Sequence, residues 1–368
     1  MIAVAMKLFT ALLLVSLAAS AANVQRLLYV TDKTGISIYD IDNGHTLVRK
    51  IAIPDSGAYK GISASVQLQR LYVTSNVKDD LICLDLKTDK VLWRKNLGKY
   101  PDSSAITPDG KRLYMPYRDE DNWKVIDAEN GAVLATIPVA RGKNYDDSPI
   151  GSIGPHNTWV NDAGTRVYLE VLTMPWVYVA DTATNKIIGK VGPFSKGIRP
   201  FAVSNDEKYV YANVDALLGF EVGAVKDEKG NWGGKMLHRV EAKTPASRLA
   251  SMPNPPAHKP HSTPSHGVNI RPDQKEVWSV DGVYGYVYVH NVEKMPPKFV
   301  AAVPIFKEPT GQPHPGWISF SIDGKYAYPD GGAVIDTKTK KVVSRIPTSE
   351  KLLEIDFEEG KAVRAGHR

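Results

Sequence analysis

The run Pro108-Asp109-Gly110-Lys111-Arg112-Leu113-Tyr114 reads as a tight Asp-Gly turn that feeds a short strand ending on an aromatic side chain. The phrase returns as Asp206-Glu207-Lys208-Tyr209-Val210-Tyr211, Asp273-Gln274-Lys275-Glu276-Val277-Trp278 and Asp323-Gly324-Lys325-Tyr326-Ala327-Tyr328. Shorter forms are Arg26-Leu27-Leu28-Tyr29, Arg70-Leu71-Tyr72 and Gly164-Thr165-Arg166-Val167-Tyr168. With the aromatic as landmark, seven copies stand at 29, 72, 114, 168, 211, 278 and 328, separated by 43, 42, 54, 43, 67 and 50 residues. A base period near 43 is that of a four-stranded propeller blade.

A second phrase follows in most copies: an apolar pair, an Asp and a polar turn, as in Leu84-Asp85-Leu86-Lys87-Thr88, Ile126-Asp127-Ala128 and Ile335-Asp336-Thr337-Lys338-Thr339. Another apolar strand comes next, such as Lys90-Val91-Leu92-Trp93 or Lys341-Val342-Val343-Ser344. Each unit therefore reads as one antiparallel blade. The first unit lacks its opening strand, and Leu352-Leu353-Glu354-Ile355-Asp356-Phe357 alternates in a way that suits the missing place. The fold expected is an all-β, seven-bladed β-propeller of four-stranded antiparallel blades, closed by the C-terminal strand completing the N-terminal blade.

Composition agrees. The 368 residues are 43% hydrophobic and 23% charged, which excludes a disordered or fibrous chain. Seventeen Tyr with 29 Gly and 25 Pro favour many short strands and turns, so helices should be scarce. The net charge of +6 is spread without a basic block, which argues against a nucleic-acid-binding tail. Cys83 is the only cysteine and lies in an apolar strand, so an inert buried thiol is expected. Residues 1–21 have the form of an export signal: Lys7, the apolar run Leu8 to Leu17, then Ala19-Ser20-Ala21. Cleavage near Ala21 would leave residues 22–368 as one propeller domain, periplasmic or secreted, with insertions at 141–154 and 226–264. Translation from Met6 rather than Met1 fits the same pattern. A monomer without membrane insertion is expected.

Phrases such as Tyr72-Val73-Thr74-Ser75-Asn76 and Ile126-Asp127 resemble those of the YVTN-repeat (YncE-like) β-propeller family, over roughly residues 24 to 360. The resemblance implies the fold, and it brings single-stranded nucleic acid into view as a partner. It supplies no catalytic signature, so function has to be argued from a site.

In a propeller, the loop feeding each innermost strand opens at one mouth of the central channel. Counting twelve residues back from each landmark gives Lys60, Asp102, His156, Arg199, His266 and Gly316, with His314 two residues before the last. Loops after the second strands add Asn76, Arg118, Asp119, Trp176, Asp215, Asp281, Tyr284 and Asp330. The Pro-rich stretch Thr244 to Pro264, carrying His258 and His261, is expected to form an extended lid.

Three readings of this mouth stand open. His156, His266 and His314 are candidate metal ligands, for copper or zinc, because neutral imidazole binds both. Without metal, His156 or His266 is a candidate general base, with Asp102 as its partner or as acid. Lys60 and Arg199 would then hold a carboxylate or oxyanion, and Trp176 offers an exposed ring for a small polar or anionic ligand. In the third reading the same groups pair with one another and line a solvated channel, and the rim binds protein or single-stranded nucleic acid. No Gly-x-Ser-x-Gly, His-Glu-x-x-His or phosphate loop is present.

Overall fold

A computed structural model describes residues 24–140, 153–252, 264–306, 316–347 and 351–366. The signal-like segment 1–21, most of the 141–154 insertion, His258, His261 and His314 lie outside the described residues. Seven antiparallel sheets form the ring. Their innermost strands are Leu352–Glu358 (blade 1), Tyr59–Ser65 (2), Ala105–Ile106 (3), Pro155–Val160 (4), Ile198–Val203 (5), Val268–Ile270 (6) and Ile318–Phe320 (7). Blade 1 is the seam: Leu352–Glu358 pairs with Gln25–Thr31 in the register Leu353↔Tyr29.

The two repeated phrases have separate physical causes. In five blades an Asp ends the third strand and caps the turn into the outer strand. In blade 2 the Asp85 Oδ1 accepts from Lys87 N at 3.1 Å, Thr88 N at 2.8 Å and Thr88 Oγ1 at 2.9 Å, and Asp336 repeats the pattern with Thr339. The landmark aromatics are at most 1% exposed and wedge between blades. Several also clasp the next blade through the phenol. Tyr72 donates to Ala128 O at 2.6 Å, Tyr114 to Asn185 Oδ1 at 2.9 Å and Tyr168 to Glu207 Oε1 at 2.8 Å. A ring that buries its polar hydroxyls this way selects Tyr over Phe at the landmark.

Close approach explains a recurrent glycine. A Cβ on Gly35, Gly219 or Gly332 would meet the outer-strand carbonyl of Ile51, Val240 or Ile346 at 2.0 Å. Only glycine lets the third and outer strands lie that near where they begin to pair.

Blade 1 carries one strand more than expected. Lys361–Ala365 turns back at Glu359-Gly360 and pairs with Leu352–Glu358 on its inner edge, so it lies toward the channel. Gln69, in the turn of blade 2, holds it by both backbone groups: Nε2 donates to Ala362 O at 2.8 Å and Oε1 accepts from Ala362 N at 2.9 Å. Gln69→Ala should lower the unfolding free energy by about 1 kcal/mol, read from urea denaturation. An unchanged midpoint would show that the extra strand adds nothing to the ring.

One expectation is corrected. Ala246–Ser251, within the stretch read as an extended lid, is helical. Ala, Arg and Leu favour helix there, Pro245 stands just before its first turn, where a missing N–H costs nothing, and the next proline is Pro253. Arg248 anchors this turn by donating to Phe306 O at 3.0 Å. It is the only helix among the described residues, and no described helix is long and apolar enough to cross a membrane. Cys83 is buried, and burial pushes its thiol up to about 12, the inert state expected of it.

Candidate functional site at the channel mouth

The counted positions fall where inner-strand pairing is interrupted. In blade 2 the register jumps from Tyr59↔Ser75 to Gly61↔Thr74, which leaves Lys60 unmatched. Blade 4 jumps from Pro155↔Val171 to Asn157↔Glu170 around His156, and blade 5 from Ile198↔Val214 to Phe201↔Ala212 around Arg199. In blade 3 an isolated bridge at Pro101 is followed by regular pairing only from Ala105, so Asp102 lies in the gap. Such bulges turn a side chain off the sheet's own alternation and re-aim it. His266 and Gly316 precede the inner strands of blades 6 and 7.

A buried hydrogen-bonded group results. His156 is 6% exposed and Glu170 fully buried. Glu170 Oε2 lies 2.8 Å from His156 Nδ1, and Asn157 Nδ2 lies 2.7 Å from that nitrogen and 2.9 Å from Oε2. Burial pushes the Glu170 carboxyl up to about 8, against hydrogen bonding from Asn157 and the charge of Arg199. It is therefore protonated at neutral pH. Nδ1 then faces two donors, the Glu170 hydroxyl and the Asn157 amide, which places the imidazole's own proton on Nε2. That atom is 3.6 Å from Asp102 Oδ2.

Cations surround this group. Burial, then Arg118, Arg199, His266 and Lys351, hold His156 well below 6.5 and so neutral. Arg118 Nη1 is 3.7 Å from Asp102 Oδ2, and Arg199 Nε is 3.6 Å from Asp215 Oδ1, both longer than a hydrogen bond. His266 has the opposite tautomer: its Nδ1 donates to Gly316 O at 2.7 Å, which leaves a lone pair on Nε2. Burial and Arg199 bring His266 down to about 3, with the Gly316 contact opposing. Asp330 Oδ2 accepts from Gly316 N at 3.1 Å and holds that residue.

The structure thus brings Asp102, His156, Arg199 and His266 together, with Lys60 on the neighbouring bulge, where Ser103 Oγ donates to its carbonyl at 2.6 Å. Trp176 is placed elsewhere. Its ring lies under Lys190 Nζ, 4.1 Å from the centroid, and edge-on to Tyr178, so it packs on the outer strands of blade 4. Asp281 is taken up by its own turn, accepting from Val283 N and Tyr284 N. Among the described residues no group of three or more His, Cys, Asp or Glu side chains is arranged to hold a metal ion.

Glu170 and Lys351 escaped the sequence reading. Glu170 stands two residues beyond its landmark Tyr168, a column where blade 7 also has a carboxylate, Asp330, and the other blades have Thr31, Thr74, Pro116, Asn213 and Val280. A carboxylate in that column was the available signal. Lys351 precedes the inner strand of blade 1, which comes from the far end of the chain, so counting back from Tyr29 cannot reach it.

Fold and site together define a seven-bladed propeller with a polar, largely buried channel mouth. No protein-family description and no curated protein sequence matches the chain. Among solved structures it is similar to hydrazine synthase of Kuenenia stuttgartiensis, with a TM-score of 0.60 and 15% identity over 88% of this chain and 93% of that one. It is also similar to a protein of Bacteroides fragilis described as a 6-phosphogluconolactonase by inference, with a TM-score of 0.64 and 13% identity over 94% and 98% of the two chains. At such identities the likeness extends to the fold alone.

Proposed function

We propose that the channel mouth binds a small anion, a carboxylate or phosphate, held by Lys60, Arg199, Arg118 and Lys351 beside two neutral imidazoles. The observation that carries this reading is that three of these cations, from three different blades, press on one buried histidine. The four cations outnumber the carboxylates of Asp102, Asp215 and Asp330 around them, and a surplus of positive charge beside neutral imidazoles favours an anionic guest over a cationic or neutral one. His266 Nε2, with its lone pair, would accept a hydrogen bond from a ligand hydroxyl. The repeat phrases support kinship with YVTN-repeat propellers, and the amino-terminal pattern supports export to the periplasm or beyond.

Calorimetric titration with acetate and with inorganic phosphate tests the reading. At least one should bind, and Arg199→Ala should weaken it about 10-fold or more, the effect expected of a lost charged hydrogen bond. Wild-type protein that binds neither, or an Arg199→Ala variant that keeps its fold and its affinity, overturns the proposal.

Metal binding is the second reading, favoured by His266. An imidazole that donates Nδ1–H to a backbone carbonyl is oriented as metal-bound histidines are. Copper or zinc found in the purified protein at one per chain, and lost in His266→Ala, would establish it. Protein that stays metal-free after incubation with either ion would remove it.

A further inference from the structure

A cavity of about 300 Å³ opens inside the ring beneath the mouth. It runs from Ser103 and Lys351, at the mouth end, to Pro108 and Asp162 at the opposite face. Its walls change character along the way. Lys351 and Asp330 belong to the charged mouth, whereas Trp159, Val160, Phe320 and Leu353 face the interior.

Trp317 stands at the boundary. Lys351 Nζ lies 3.5 Å from its ring centroid, and His266 meets it edge-on with centroids 6.1 Å apart. The Lys351 ammonium is therefore fixed on an indole face, with a space beyond it whose wall is mainly apolar but also carries Ser63, Ser104, Asn161, Ser319 and Glu354. A space of about ten waters is of the size ligand pockets have. An inorganic anion at Lys351 would leave that space empty of contacts.

We infer that the ligand of this propeller is an aromatic carboxylate, with its carboxylate at Lys351 and Arg199 and its ring in the channel against Trp317 and toward Trp159. Indole and phenyl walls favour a planar apolar body, because aromatic pairs add attraction to the gain from burying ring surface. This inference rests on the anion-binding reading of the mouth and adds to it the class of the ligand's body.

Three probes with one head group separate the two: acetate, phenylacetate and gluconate, each titrated by calorimetry. Phenylacetate should bind about 10- to 100-fold more tightly than acetate, the gain expected from burying one ring, and gluconate no more tightly than acetate. Ser319→Phe, which fills the cavity from a half-buried wall position, should bring phenylacetate down to the affinity of acetate and leave acetate unchanged. Trp317→Leu is a second variant with the same expected direction. Equal binding of acetate and phenylacetate, or tighter binding of gluconate, overturns the channel inference and leaves the mouth reading intact. So does undiminished phenylacetate binding in the folded variants. Failure of all three carboxylates to bind overturns the channel inference, and the mouth reading falls with it if inorganic phosphate also fails to bind.

Discussion

Between pH 6.5 and 8 the protein is expected to lose about 2 kcal/mol of stability that a Glu170→Gln variant keeps. The folded chain holds the Glu170 proton up to about 8, whereas an unfolded glutamic acid releases it near 4.5. Folding therefore takes up a proton throughout that window, and raising the pH opposes it by about 1.4 kcal/mol per unit.

His156 and His266 act with the opposite sign. Their folded values are depressed, so they weaken the fold only as pH falls below 6.5 and are silent above it. Glu354, raised to about 7 chiefly by burial, acts in the same direction as Glu170, but it is common to both proteins and cancels in their difference. Urea denaturation of the two proteins at pH 6, 7 and 8 gives that difference. Parallel curves would mean that Glu170 is ionised in the fold, and the tautomer assigned to His156 would fall with it.

Trp278→Ala should destabilise the ring by about 3–5 kcal/mol, the range for deleting a large buried aromatic. Trp278 is fully buried. Its indole donates to Glu276 Oε2 at 3.1 Å, its ring lies under Lys340 Nζ at 4.9 Å, and it meets Phe320 of the next blade edge-on at 5.6 Å. Removing it opens a void between blades 6 and 7 and strips Lys340 and Glu276 of the surface that seats them. Chemical denaturation gives the value directly, and a loss under about 1 kcal/mol would show that the blades reclose around the gap.

The architecture was legible because the blade's two needs, an inter-blade wedge and a tight turn, each fix a residue type at a fixed spacing. Tyr at the landmark and Asp after the third strand could be counted without knowing what they touch. The mouth was legible for a related reason, since the same count lands on Lys60, His156 and Arg199 just where the pairing slips. The charge state of the site was not. That Glu170 reaches His156 depends on a one-residue bulge, which no alternation in the sequence announces. Lys351 joins the mouth only once the chain has gone full circle. The helix Ala246–Ser251 was obscured by its proline-rich sequel, which dominated the reading of the whole insertion.

The seam in blade 1 sets an order of events for making the protein. Thr31 exchanges hydrogen bonds with Lys351 across 320 positions of sequence, so this pairing is among the most non-local contacts the chain can form. Six blades can collapse from neighbouring residues as each is synthesised, but the circle cannot close until the ribosome has passed residue 358. Until then Gln25–Thr31 offers an unpaired edge to any passing strand. The nascent chain is thus most exposed to wrong partners at its beginning, for almost the whole time of its synthesis.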